Sequence, residues 1–162
     1  MANDTWRTPP EVIGFIESKF GSVDIDLCST SKNKVCDNNL DEENNFLNSY
    51  WIHKDLIHKG DLAWCNPPYS NPLPFVKQCI QWAKHGYAVA GILNFDPSTK
   101  WFVELINANA LIMPIIGGRI SFLDENGVPA KGNNKPQFMF YLAPFLAQSV
   151  STEYIHKSEI YY

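Results

Sequence analysis

The sequence is short of most features that would announce a partner or a compartment. Its 162 residues hold 13 Lys or Arg against 17 Asp or Glu, a net charge of −4. No basic tail or long Lys/Arg run is present, so the charge pattern does not advertise nucleic acid. Net charge governs long-range steering rather than one cleft, which leaves room for a local basic patch. No apolar stretch reaches the length of a membrane span, and no leader-like segment opens the sequence, so a cytoplasmic protein without membrane contact is expected. The four cysteines, Cys28, Cys36, Cys65 and Cys79, form no C-x-x-C pair. In a reducing compartment they are expected as free thiols, with Cys28 and Cys65 buried in apolar runs. His53, His58, His85 and His156 lack metal-ligand spacing, so no metal is expected. Repeats, low-complexity tracts and linkers are likewise missing. What remains is 45% hydrophobic and 14% aromatic, enough for one domain over residues 1–162 to bury a core.

Strand-like and helix-like stretches alternate along the chain. In "TPPEVIGFIESKF" the Thr8-x-x-Glu11 spacing and Pro9 predict a capping box with proline at the first helical position. "VDIDLC" (23–28) alternates like a strand. Residues 31–60 are polar and irregular, while "LAWC" (62–65) reads as a short buried strand. Pro72 after Ser70 and Asn71 predicts a helix start. "YAVAGILN" (87–94) is a continuous apolar run of the kind that parallel sheets bury on both faces. Asp96 before Pro97 predicts another helix cap. "ALIMPII" (110–116), "RISFL" (119–123) and "QFMFYLA" (137–143) read as strands, with a Gly/Asn/Pro-rich loop at 125–135 and a possible edge strand in the tail. The pattern predicts an α/β protein with a mostly parallel central sheet flanked by helices. Ligands of such sheets bind beyond the carboxyl ends of the strands, where "DLCSTS" and "CNPPYS" both fall.

"NPPY" (66–69) carries a specific chemistry. Asn66 offers an amide carbonyl, and Pro68, having no N–H, cannot compete for the main-chain carbonyl of Pro67. Tyr69 adds a flat ring. Two acceptors beside a plate suit a planar molecule with an NH₂ group. The lone pair of such an amine is delocalised into its ring; holding both N–H bonds in place would relocalise it and aim it at an electrophile.

"NPPY" matches the catalytic motif of amino-group methyltransferases that use S-adenosylmethionine. The order "DTWRTPPEVIGFI", "DIDLCS", "CNPPYS", "STKWF", "GGRISF" resembles the phage-type DNA N-6-adenine-methyltransferase (Dam) family over about residues 4–143. The resemblance implies a Rossmann-like class I methyltransferase fold and transfer of a methyl group to the 6-amino group of adenine in DNA. It implies no separate target-recognition domain, S-adenosyl-L-methionine as cofactor, and host cytoplasm as location if the chain is phage- or prophage-encoded; a restriction–modification setting is compatible. By the same resemblance Asp4, Trp6, Thr8 and Pro9 belong to the cofactor pocket, with Asp26 and Cys28 in the segment that replaces a glycine-rich loop. Asp26 would meet the methionine ammonium. Asn66, Pro67, Pro68 and Tyr69 would hold a flipped-out adenine. Lys100 of "TKWF" and Arg119 of "GGRISF" match family positions to which the resemblance assigns no atomic role; contact of Lys100 or Arg119 with a DNA phosphate is the expectation for them. Asp96 departs from the family, which commonly has a basic residue there. For the cofactor ribose, Asp37 and Asp61 are the acidic candidates. "NPPY" also occurs in RNA and protein-glutamine methyltransferases, so those acceptors stay open, as does a binding module without turnover.

Overall fold

A computed structural model describes residues 6–29, 33–40, 47 and 58–161. Asp4 and most of the irregular 31–60 segment lie outside the described residues. The elements follow the order β1 (Val23–Asp26), β2 (Leu62–Cys65), β3 (Ala88–Asn94), β4 (Leu111–Ile116), β5 (Gln137–Leu142), β6 (Ser151–Thr152) and β7 (Ile155–His156). Four helices intervene or flank: α1 (Pro10–Phe20), α2 (Leu73–Lys84), α3 (Lys100–Asn107) and the short α4 (Lys157–Ile160).

The strands form one seven-stranded sheet in the order β1-β2-β3-β5-β4, with β6 and β7 both on the outer side of β4. β1, β2 and β3 are mutually parallel, and β5 runs antiparallel to both of its neighbours. The sheet is therefore mixed, with β5 reversed against the others. Its reversal follows from the connection: residues 117–136 contain no helix to carry a crossover, so β5 returns beside β4 in the opposite sense.

Helices cover both faces. Val12, Ile13 and Ile16 of α1 pack with Leu62, Trp64, Ala90, Ile92 and Met139 on one side. Val76, Cys79, Ile80, Trp82 and Ala83 of α2, with Leu105 of α3, pack with Ala63, Cys65, Val89 and Leu93 on the other. Side chains alternate across a strand, so Trp64 faces α1 and Cys65 faces α2. By the same period Asn66, just past the strand, continues on the α1 side.

Three local expectations are corrected. Thr8 does not cap α1: the helix begins at Pro10 with Pro9 as N-cap and no side-chain cap bond, because Thr8 is committed elsewhere. Asp96 does not cap α3; its carboxylate closes a turn on Ser98, and Thr99 is the N-cap, accepting from the Phe102 N–H. Residues 119–123 form no strand. Beyond the positive-φ pair Gly117 and Gly118 the chain turns away, and only Leu123 makes bridges, to Arg7 and to Pro129.

Pro114 in the middle of β4 has a place that costs little. Ile112 gives its carbonyl to the Glu153 N–H at the outer edge, so Pro114, two residues on, turns its missing N–H the same way. That is the gap between β6, which pairs with Leu111 and Ile112, and β7, which pairs with Ile115 and Ile116.

Candidate active site

The carboxyl ends of β1, β2, β3 and β4 share one edge of the sheet, and the loops that leave them gather there. β2 ends against β3 with Cys65 opposite Gly91. A Cβ at Gly91 would collide with the Cys65 carbonyl oxygen and with the Phe140 ring, so the strands approach closely just where Asn66 begins.

Asn66 is half-buried, and its Nδ2 donates to Thr8 Oγ1 at 3.0 Å. Among the described residues its Oδ1 has no hydrogen-bond partner. The Pro67 carbonyl is also unpartnered among the described residues, whereas the Pro68 carbonyl accepts from the Asn71 N–H at 3.3 Å. Two acceptors are thus left open at adjacent positions of a rigid Pro-Pro turn.

Tyr69 is pinned beside them. Its hydroxyl donates to the Ile92 carbonyl at 3.3 Å, and burial holds that hydroxyl well above its ordinary titration range. Its ring meets Phe122 edge-on, with centroids 5.9 Å apart and planes at 79°. Trp6 stacks on the same Phe122 at 6.0 Å and 25°. Phe122 is buried and links Trp6 to Tyr69, a role that reading the segment around Arg119 missed. The signal lay in the alternation of "RISF", which puts Ile120 and Phe122 on one side; both belong to the α1-side core.

Next to this turn lies the β1 loop. Asp26 is buried; its Oδ1 accepts from Cys28 N–H at 3.2 Å and its Oδ2 from Val35 N–H at 3.0 Å. Desolvation outweighs these bonds and pushes the carboxyl up to about 6. No Lys, Arg or His meets it in an ion pair among the described residues. Among the described residues it is a buried acid without a counter-charge, held by two backbone N–H groups, with the Ser29 side chain also favouring its ionised form. Cys28 turns its sulfur towards Cys65, Sγ to Sγ 3.4 Å, so its share of the loop is its backbone. Burial raises the Cys28 and Cys79 thiols well above the usual cysteine range.

A cleft of about 430 Å³ runs from this loop along α1, lined by Arg7, Thr8, Ile13, Glu17, Val35 and Leu123. Thr8, the partner of the Asn66 amide, and Val35, whose N–H meets Asp26, line it; Asn66 and Asp26 themselves do not. The described structure thus joins Thr8 to Asn66 and brings Trp6 to Tyr69 through Phe122. Pro9 is buried at the start of α1. Lys100 and Arg119 stand exposed at the same sheet edge, at the start of α3 and in the loop after β4. Asp37 is exposed in the loop after β1, but Asp61 precedes β2 and so lies at the opposite end of that strand from Asn66. This corrects Asp61 as a ribose-binding candidate. No cluster of three or more His, Cys, Asp or Glu able to hold a metal occurs among the described residues, and no helix there is long and apolar enough to cross a membrane.

Comparison with known proteins meets the same reading. A DNA N-6-adenine-methyltransferase of Escherichia phage T1 is 34% identical over 154 residues, covering 86% of this chain and 62% of the relative. A DNA N-6-adenine-methyltransferase of Haemophilus phage HP1 is 38% identical over 144 residues, covering 87% of this chain and 79% of the relative. The chain thus spans less than two thirds of the phage T1 protein. With a family match running over residues 1–161, the chain belongs to the DNA N-6-adenine-methyltransferase (Dam) family.

Proposed function

We propose that the protein transfers a methyl group from S-adenosylmethionine to the 6-amino group of adenine in DNA, with the target base flipped into the Asn66–Tyr69 pocket. The observation that carries this is the pair of open acceptors, Asn66 Oδ1 and the Pro67 carbonyl, beside the fixed ring of Tyr69. Their chemistry selects an aromatic amine: two carbonyls for two N–H bonds and an aromatic face for the ring. The names of the phage relatives supply adenine and DNA. Their phage origin supports the host cytoplasm as the place of action.

S-adenosylmethionine supplies an electrophilic methyl group on a sulfonium. Every other element of the reaction falls to this chain. Asp26 fits the donor's ammonium, because it is a buried carboxyl with no ion-pair partner among the described residues, near a cleft of suitable size. Thr8 lines that cleft, and Trp6, Pro9 and the backbone of Cys28 are the neighbouring positions that would shape the donor site. Asn66 and Pro67 hold the two amine hydrogens and direct the nitrogen lone pair, so no strong base is needed before attack. The methylated amine is briefly cationic and acidic, and the same two oxygens lie where its proton leaves. An adenine inside a duplex cannot reach the end of a strand, so extrusion is required. Lys100 and Arg119, exposed on the same edge, are the positions that would carry phosphate.

The test is labelled methyl transfer from S-adenosylmethionine to DNA, RNA and protein acceptors in parallel, followed by identification of the modified base. Label in N6-methyladenine of DNA is expected. Asn66→Ala should lower transfer by about 10²–10³-fold while leaving the circular dichroism unchanged. Unlabelled DNA beside donor-saturated protein overturns the proposal; label in RNA or protein instead reassigns the acceptor.

A further inference from the structure

Thr8 was expected at the helix cap and in the cofactor pocket, yet its hydroxyl is engaged by two residues of another element. Its Oγ1 accepts from Trp64 Nε1 at 3.3 Å and from Asn66 Nδ2 at 3.0 Å. Thr8 is 8% exposed and Trp64 is fully buried, so the indole N–H has no easy replacement in water. Trp64 and Asn66, the latter just past the end of β2, are two residues apart on the same side of the sheet, and Thr8 sits across both.

We infer that Thr8 is a positioning residue for methyl transfer: its hydroxyl oxygen holds the Asn66 amide nitrogen and so points Oδ1 at the target amine. The inference rests on the proposed reaction, in which Asn66 Oδ1 is one of the two acceptors. An amide has two ends of similar shape and opposite hydrogen-bonding character. Turned by half a rotation, Asn66 would present N–H bonds to the N–H bonds of adenine. Thr8 also occupies the indole N–H of Trp64, a donor that cannot accept. Without the hydroxyl, that buried N–H is orphaned, and Asn66, whose amide nitrogen shares the same Thr8 oxygen, can offer it an acceptor by turning its amide. Both donors meet the same oxygen, at 3.3 and 3.0 Å, so the half-turn of the Asn66 amide exchanges its ends beside the indole N–H. Loss of the hydroxyl therefore costs more than one bond, because it recruits the catalytic oxygen away from the substrate.

The experiment compares Thr8→Val, which keeps the shape and loses the oxygen, with Thr8→Ser, which keeps the oxygen. In Thr8→Val, kcat should fall on the order of 10²-fold, with KM for the methyl donor within a few-fold of wild type. Thr8→Ser should retain kcat within a few-fold. The same Thr8→Val change made in an Asn66→Asp background should cost little further, because both oxygens of a carboxylate are acceptors and no end needs choosing. In ¹H–¹⁵N spectra of the protein without DNA, the Asn66 side-chain amide and Trp64 indole signals should shift in Thr8→Val and stay in Thr8→Ser.

A rise in donor KM with unchanged kcat would make Thr8 a cofactor-pocket residue only and overturn the inference. Equal losses from Thr8→Val in the wild-type and Asn66→Asp backgrounds would show that Thr8 does not act through residue 66. A Thr8→Ser variant as impaired as Thr8→Val would remove the hydroxyl from the argument, and so would unmoved Asn66 and Trp64 signals. If wild-type protein methylates no acceptor, the proposed reaction fails. If it methylates DNA and Thr8→Val does so equally well, only this inference fails.

Discussion

Lowering the pH from 7.5 to 5 should weaken methyl-donor binding through Asp26 and, over the same range, strengthen the ligand-free fold. Unfolded, an aspartate ionises near 3.8; in the fold, burial moves Asp26 to about 6. Between those values the folded state keeps a proton that the unfolded state has lost. Stability therefore falls as pH rises through the window, and the loss is complete above it. A displacement of about two pH units corresponds to roughly 3 kcal/mol. Backbone N–H groups of Cys28 and Val35 receive the charge but do not neutralise it. An ammonium on the ligand would neutralise it, so the ionised form of Asp26 is the one that binds. Affinity should be flat above pH 6 and drop about tenfold for each unit below it. Calorimetric titration with S-adenosylmethionine or S-adenosylhomocysteine measures this, with urea unfolding of the ligand-free protein at each pH. Asp26→Asn should bind weakly at every pH and lose the stability change between pH 4 and 6. Wild-type affinity that holds constant from pH 7.5 to 5, or an Asp26→Asn variant that binds as tightly as wild type, would refute the reasoning.

Other consequences are simpler to read. Gly91→Ala should destabilise the fold by about 1–3 kcal/mol, seen as a lower Tm, because the new methyl group meets backbone as well as the Phe140 ring; an unchanged Tm would mean the strands can separate there. Native protein should react slowly with iodoacetamide at pH 7.5 and rapidly once denatured, since burial raises Cys28 and Cys79 and carries Cys36 to about 11. Cys65, where hydrogen bonds from Cys28 and Cys79 outweigh burial and lower it to about 6, is only 1% exposed and out of the reagent's reach; a fast first equivalent would contradict that. Lys100→Ala and Arg119→Ala should each reduce the slope of log K against log salt for DNA by about 0.9, without changing which sequence is methylated. A slope equal to that of wild type in both variants would place the phosphate contacts elsewhere.

The strands that carry the site were legible because their sequences are continuous apolar runs ending in polar residues. "LAWC" and "YAVAGILN" fall within a residue of β2 and β3. Capping was less legible. The Thr8-x-x-Glu11 spacing satisfies the local rule, but a buried indole N–H outside the segment had the stronger claim on the Thr8 hydroxyl. A local pattern cannot register a donor that arrives 56 residues later in the chain. Asp96 failed as a cap for a nearer reason: Ser98 offers it both a backbone and a hydroxyl donor, and Thr99 takes the cap. Phe122 escaped notice because its contacts come from Trp6 and Tyr69, on two segments far from it in sequence. The residues between β1 and β2 gave no periodic signal, and most of them lie outside the described part.

The proline in β4 reaches beyond local geometry. A sheet margin of several unbroken backbone groups is a template on which another chain can grow. Here the margin offers β6 and β7, two residues each, with Pro114 behind the break between them. A strand arriving from another molecule would find no continuous row of donors and acceptors to extend. This margin of the sheet thus resists edge-to-edge pairing by interruption.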